Sequence, residues 1–329
     1  MRDARIIGTG IYVPEKVLTN ADLSRNLGVD IDEFVTNVVG IRERHIAADD
    51  ESTADLATSA AQAALRDAGI EASDLDLILL ATDTPEYLSP ATSVVVQHRI
   101  GASNAGTFDI NSACAGFVTT LDAAYKYIIA DASYKNVLVI GCYAMSKFID
   151  WTDKKTSTLF ADGAGAFVLA AVDNEPHFLA SKLVADGSFH DFMGIFAGGT
   201  KIPITKAVLD GNNFNHLRFA KKYPADVNIA GWPKIVDEVL ARASLVRADV
   251  DFFLWTQVNI STIRVVMDQM EIPMAQTHTI MHKWGYTGSA CIPMAFHDAV
   301  ESGKLKRGDT VVLCASGGGL NMACLAIKY

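Results

Sequence analysis

The sequence predicts an α/β fold made of two similar halves, and three observations lead there. The chain has 329 residues, half of them hydrophobic, enough to bury one large core or two medium ones. Its strand-like runs are rich in Val, Ile and Leu on both faces and alternate with amphipathic segments, the pattern of sheets covered by helices. Three segments also recur in the same order at nearly the same spacing.

Taken in order, MRDARIIGTGIYVPEK carries charges in its first five residues and a short apolar run broken by two glycines and a proline. It predicts a first strand and turn, not the continuous apolar core of a signal peptide. ALRDAGIEASDLDLILLAT (64–82) predicts a helix, a polar turn and a strand, and VLARASLVRADVDFFLWT (239–256) repeats it. SACAGFVTTLDAA (112–124), a small-residue turn leading into a helix, is echoed by SACIPMAFHDAV (289–300). IADASYKNVLVIG (129–141) is echoed in turn by VESGKLKRGDTVVLCASGGG (300–319). Duplication accounts for this ordered triple better than chance similarity of amphipathic helices, and it divides the chain into halves 1–172 and 173–329 with a shared site at their junction.

The net charge of −10, without any Lys/Arg-rich run, argues against nucleic acid as a main partner, because phosphate binding needs clustered basic side chains. LDLILLAT and NVLVIG fall far short of the ~20 apolar residues that span a bilayer, so no membrane segment and a cytoplasmic protein are expected. Five cysteines without regular spacing fit reduced thiols, and no CxxC or CxxxxH cluster points to zinc, so no metal is expected.

Cys114, in NSACAG, follows the strand-like TFDIN and precedes AGFVTTLDAAYKYII, whose apolar positions recur at helical spacing. Ser112, Ala113, Ala115 and Gly116 permit a tight turn between the two. Cysteine is among the most buried residue types, so packing competes with chemistry here. A helix N-terminus, however, presents a positive dipole end and free N–H groups, which lower a thiol pKa and favour the nucleophile reading. The same argument applies weakly to Cys291, whereas Cys142, Cys314 and Cys324 fall in or beside apolar strands and are expected to pack.

GTGIYVPEKVLTNADL, GIRERHIA, DINSACAGF, LFADGAGAFVL and CASGGGLNMACL, in that order, resemble the β-ketoacyl-acyl carrier protein synthase III family of the thiolase superfamily. The resemblance runs from the first strand to the last residue. It implies a thiolase-like fold, five layers α-β-α-β-α from two duplicated halves, and a homodimer. It implies that Cys114 accepts an acyl group from an acyl-CoA or acyl-carrier-protein thioester, with CoA as part of a substrate and no cofactor. It also implies backbone N–H donors at Cys114 and Gly318 for the oxyanion, where a residue without Cβ lets the chain approach closely.

The sequence departs from that family at chemically important positions. WTQVN puts Thr256 where the resemblance implies the catalytic histidine, and WGYTGSAC puts Tyr286 where it implies the asparagine. Those side chains hold the malonyl thioester carbonyl during decarboxylation, and losing such a donor costs ~10²–10³ in rate. Thr256 and Tyr286 each carry an O–H that could still donate, but neither is a base at neutral pH. His282 could replace the missing imidazole only by turning into the junction; it and His278 are otherwise surface or core-edge residues. For the CoA portion, Phe34 stands at the position of a stacking tryptophan, Val38 and Ser261 where arginines are implied, and Lys154 near a third basic position. Ser89, before Pro90, takes the place of a gating phenylalanine and suggests room for an acyl group larger than acetyl. Lys201, Lys206, Arg218, Lys221 and Lys222 form a loose basic cluster, either a solvated loop or a docking patch for an acidic carrier. The expected activity is acyl transfer through Cys114 in fatty-acid or secondary-metabolite biosynthesis. The alternative is a catalytically weak subunit supporting a homologous active ketosynthase.

Overall fold

A computed structural model describes residues 2–211 and 215–329. The first sheet comprises β1 (Arg2–Tyr12), β2 (Leu77–Ala81), β3 (Gly106–Ile110), β4 (Asn136–Ala144) and β5 (Asp162–Asp173), in the order β1-β5-β4-β2-β3. The second comprises β6 (Phe178–Ala185), β7 (Phe252–Trp255), β8 (Thr310–Gly317) and β9 (Asn321–Lys328), in the order β6-β9-β8-β7. The two orders match strand for strand. In each sheet a parallel pair joins the strands of the repeated segments, β2 with β4 and β7 with β8; β2 is also parallel to β3, and the remaining pairs are antiparallel. The second sheet's counterpart of β3 is reduced to one parallel bridge, Phe253 to Thr277.

Six helices complete the layers. On the outer face of the first sheet lie α1 (Thr53–Ala68) and α2 (Thr92–Ile100), and on the outer face of the second lie α4 (Val227–Arg242) and α5 (Ile260–Gln269). Between the sheets, α3 (Gly116–Ala130) and α6 (Cys291–Glu301) each touch both. The result is the α-β-α-β-α arrangement that the sequence led us to expect.

Local chemistry explains the closest packing. Helix α1 is alanine-rich on its buried face, with Ala54, Ala57, Ala60, Ala61 and Ala64 at helical spacing. Strand β1 meets it through Gly8 and Gly10: a Cβ on Gly10 would stand 2.3 Å from the Ala64 backbone nitrogen. The helix begins at Ser52, whose capping box with Asp55 satisfies the first free N–H groups, and stops at Gly69 in the left-handed region with φ of 67°. Side-chain alternation along β2 then sorts the core. Ile78 and Leu80 face α1, whereas Leu77 and Leu79 join Val137, Val139 and Cys114 in the cluster between the sheets.

Candidate active site

The site forms where the leading turns of the two central helices meet. Residues 113–115 make one 3₁₀ turn before α3, and 288–290 make its counterpart before α6. Their approach depends on missing side chains, since a Cβ on Gly141 would lie 2.5 Å from the Ser289 carbonyl oxygen. Ser289 Oγ then donates to the Cys142 carbonyl at 2.8 Å, tying the second turn to β4. In the first turn Ala113 adopts φ of +47°, and its N–H donates to Asn111 Oδ1 at 3.1 Å. This sharp bend aims Cys114 into a cavity of about 170 Å³ between the halves.

Strand β8 supplies the cavity wall beside the cysteine. A Cβ on Gly317 would stand 2.8 Å from the Cys114 nitrogen and 2.5 Å from the Ser112 carbonyl oxygen, so only glycine admits this contact. Gly318, expected from the resemblance, also lines the cavity. The need for Gly317 was not anticipated, although the GGG run was the available signal.

Tyr286 and Thr256 both reach the cavity, but in different states. The Tyr286 side chain lines the cavity beside Cys114 and lowers the thiol pKa. Burial is the largest influence raising the Tyr286 pKa well above its usual value, which keeps the hydroxyl a neutral donor. Its backbone spans the junction: Tyr286 N–H donates to the Leu159 carbonyl at 3.1 Å, and its own carbonyl accepts from Ala161 N–H at 2.9 Å. The ring packs on Phe160 with centroids 5.6 Å apart. The Thr256 hydroxyl, by contrast, is engaged with β8. It accepts from Ser316 N–H at 2.9 Å and donates to the Ser316 carbonyl at 3.4 Å. Its single donor is therefore engaged within the protein, unlike that of a residue pointing freely into the cavity.

The thiol pKa also runs opposite to the helix-terminus argument. Cys114 is 4% exposed, and this burial, followed by the carboxyl of Asp83, pushes its pKa well above the free value, while Tyr286 pulls it down. The sequence argument counted the helix dipole and missed desolvation by the second half. Cys291, at the start of α6, is also buried and pushed up to about 12 by that burial. Cys142, Cys314 and Cys324 lie buried in β4, β8 and β9, as expected, and all five cysteines are free.

The residues associated with the CoA portion divide. Phe34 and Val38 are exposed, and the Ser261 hydroxyl donates to the Val38 carbonyl at 2.7 Å, so these three belong to one surface. Lys154 is exposed at the head of the short helix Lys154–Ser157 and lies outside the cavity lining. Ser89 is exposed as well and does not line the cavity, so its small size leaves that space unchanged. In the basic cluster, Lys221 pairs with Asp191 at 2.6 Å and sits 5.3 Å from the Phe192 ring centroid. Arg218 lies in a two-residue strand paired with Met193–Gly194; its neighbour Phe219 and Met193 both wall the cavity. Lys201, Lys206 and Lys222 are exposed. His278 and His282 line a separate polar hollow, where His278 Nε2 lies 2.6 Å from Asp298 Oδ2, so neither supplies an imidazole to Cys114. Among the described residues no group of three His, Cys, Asp or Glu side chains is placed to hold a metal, and no helix is long and apolar enough to cross a membrane.

A duplicated five-layered fold, with a cysteine at the head of its central helix and glycine backbone beside it, defines the thiolase class of acyl-transferring enzymes. Two family models match the chain, 3-oxoacyl-[acyl-carrier-protein] synthase III over residues 108–187 and its C-terminal counterpart over 240–329. The β-ketoacyl-[acyl-carrier-protein] synthase III of Xanthomonas axonopodis pv. citri is 38% identical across 99% of this chain and 98% of its own. The chain therefore belongs to the 3-oxoacyl-[acyl-carrier-protein] synthase III family. The crystal structure of the Aquifex aeolicus synthase III superposes with a TM-score of 0.89 at 35% identity, covering 99% of this chain and 100% of that one. The priming β-ketosynthase of the R1128 polyketide biosynthetic pathway superposes at 0.90 with 28% identity, covering 99% and 96%. The protein is an acyltransferase of fatty-acid or secondary-metabolite biosynthesis.

Proposed function

We propose that Cys114 takes an acyl group from an acyl-CoA or acyl-carrier-protein thioester and passes it to a second substrate, with little malonyl decarboxylation along the way. The observation carrying this reading is the shared cavity in which Tyr286 lies beside Cys114 and pulls its thiol pKa down, supporting developing thiolate in a buried site lined by no histidine. Attack of the sulfur on a thioester carbonyl forms an oxyanion. The N–H groups of Cys114 and Gly318 are its donors in this reading, with Gly317 giving β8 its close approach. Decarboxylation would need further donors at a second carbonyl. The Thr256 hydroxyl is engaged with Ser316, and in this reading that of Tyr286 serves the sulfur.

The cavity of about 170 Å³ is slightly larger than the ~150 Å³ engineered cavity that holds benzene, which supports an acyl group bulkier than acetyl. Phe34 stacks on the CoA portion in this reading, beside Ser261, with Lys154 as an outer basic contact. The chain acts as a cytoplasmic homodimer, its halves dividing between residues 172 and 173.

The test is the intact mass of the protein after mixing with a panel of acyl-CoAs. A stable increment mapped to Cys114, and absent from Cys114→Ala, is expected. No adduct with any donor would overturn the reading and favour a supporting subunit.

A further inference from the structure

We propose that Asp83 is the proton acceptor for the Cys114 thiol, a role that rests on the acyl-transfer reading and supplies the base that reading lacks.

Three adjacent parallel strands converge here. Cys114 follows β3, Asp83 follows β2, and Tyr143 lies near the end of β4, so all three groups gather at the carboxyl ends of one sheet. Asp83 lies two residues beyond β2, and continuing the strand's alternation places it on the side of Leu77 and Leu79, which is the side of Cys114 and Tyr143. The flanking residues are fixed on the other face. Thr82 N–H donates to the Ile110 carbonyl at 3.2 Å, Thr84 N–H donates to Thr82 Oγ1 at 3.1 Å, and Thr84 Oγ1 accepts from Ala144 N–H at 2.9 Å. Between these two bonded threonines the carboxyl of Asp83 is left over: its Oδ1 is shut off from solvent without a hydrogen-bond partner. An ionisable group held in that state is costly unless it has a task.

The charge of Asp83 bears on Cys114 and on Tyr143; Tyr286 and Cys291 also influence the thiol, and the charge of Asp162, on β5, bears on Tyr143. Burial raises the Asp83 carboxyl to about 6 and pushes up Tyr143, Tyr286 and Cys291; it also raises Asp162, but both oxygens of that carboxyl already accept, from Ser146 N–H and Ala47 N–H at 2.8 Å each, so Asp83 is the carboxyl left free to take a proton near neutral pH. As the Cys114 sulfur attacks the thioester carbonyl, the S–H bond breaks and its proton goes to the Asp83 carboxylate. When the tetrahedral intermediate collapses, the donor's C–S bond breaks, and the departing thiolate takes that proton back. Asp83 ends as the carboxylate, Cys114 as the thioester, and the donor as a free thiol.

The test compares wild type, Asp83→Asn and Asp83→Glu by alkylation with iodoacetamide across pH 5–10, read at the Cys114 peptide by mass spectrometry. If the carboxylate holds the thiol proton, the wild-type rate rises through about pH 6 to a plateau and rises again when the thiol itself ionises. Asp83→Asn should lose the lower rise while Asp83→Glu keeps it. The proposal is overturned if the wild type lacks the lower rise or Asp83→Asn retains it. It is equally overturned if Asp83→Asn reacts faster at every pH, since the carboxylate would then merely repel the thiolate. A wild type that shows the lower rise but takes no acyl group from any acyl-CoA would sink the acyl-transfer reading while leaving the Asp83 assignment standing. Should Asp83→Asn fail to fold, the wild-type and Asp83→Glu profiles still decide the matter.

Discussion

Replacing Tyr286 by Phe removes one hydroxyl and leaves almost everything else in place. The ring keeps its packing on Phe160, and the main-chain bonds to Leu159 and Ala161 do not involve the side chain. What is lost is the hydroxyl's pull on the Cys114 thiol, which lowers its pKa against burial and the Asp83 charge. Hydrogen bonds to charged groups contribute about 1.5–3 kcal/mol, and about 1.4 kcal/mol is one pKa unit, so the thiol should rise by about one to two units. At fixed pH that is a tenfold to hundredfold fall in the acylation of Cys114. The assay is the rate of mass gain at the Cys114 peptide with a single acyl-CoA, followed across pH, together with thermal unfolding as a check on the fold. The alkaline limb should move upward with the melting temperature nearly unchanged. An acylation rate equal to wild type at neutral pH would refute the reasoning, because the hydroxyl would then not be supporting the thiolate.

Gly317→Ala should cut acylation by about 10²–10³ yet slow iodoacetamide alkylation far less, because the added Cβ crowds the Cys114 N–H, which matters only when an oxyanion forms; equal losses in both assays would count against it. Restoring the family pair with Thr256→His and Tyr286→Asn should raise labelled carbon dioxide release from malonyl thioesters, normalised to acylated Cys114, and brisk release by the wild type would contradict the account. The Asp83 carboxyl is raised in the folded state, so its contribution to stability is full below the unfolded carboxylate pKa and is lost as pH rises through about 6. Asp83→Asn should therefore be more stable than wild type at pH 8 by about 1–3 kcal/mol, with the difference vanishing near pH 4; denaturant titration at the two pH values checks this.

The duplication was legible because helix, turn and strand repeat with their own periodicities, and each matched segment occupies the equivalent place in its sheet. The turn around Cys114 was legible for a related reason: a run of small residues between an apolar strand and an apolar helix has few other uses. The thiol pKa was not, because its burial comes from β8 and from Tyr286, residues far along the chain. The state of Thr256 depends on register, since β7 and β8 pair Trp255 with Cys314 and thereby carry the threonine hydroxyl to Ser316. Asp83 did leave a signal. Alternation along LDLILLATD puts its carboxyl on the same face as the core leucines, where an acid is out of place, but the run was read only for its hydrophobicity.

Tyr286 belongs to the second half by sequence, yet its main chain is paired with Leu159 and Ala161 of the first, and its side chain shares a cavity with a cysteine of the first. Two copies of a gene segment can drift independently only while each product folds and works without the other. Here a single residue is a seam between the copies and, in the proposed reaction, a part of the chemistry, so a change that loosens one half also moves a hydroxyl relative to the sulfur in the other. Ancestral duplicates joined in this way are no longer separable: neither half expressed alone holds both members of the sulfur-hydroxyl pair, and selection on the reaction acts on the join between them as strongly as on the cysteine.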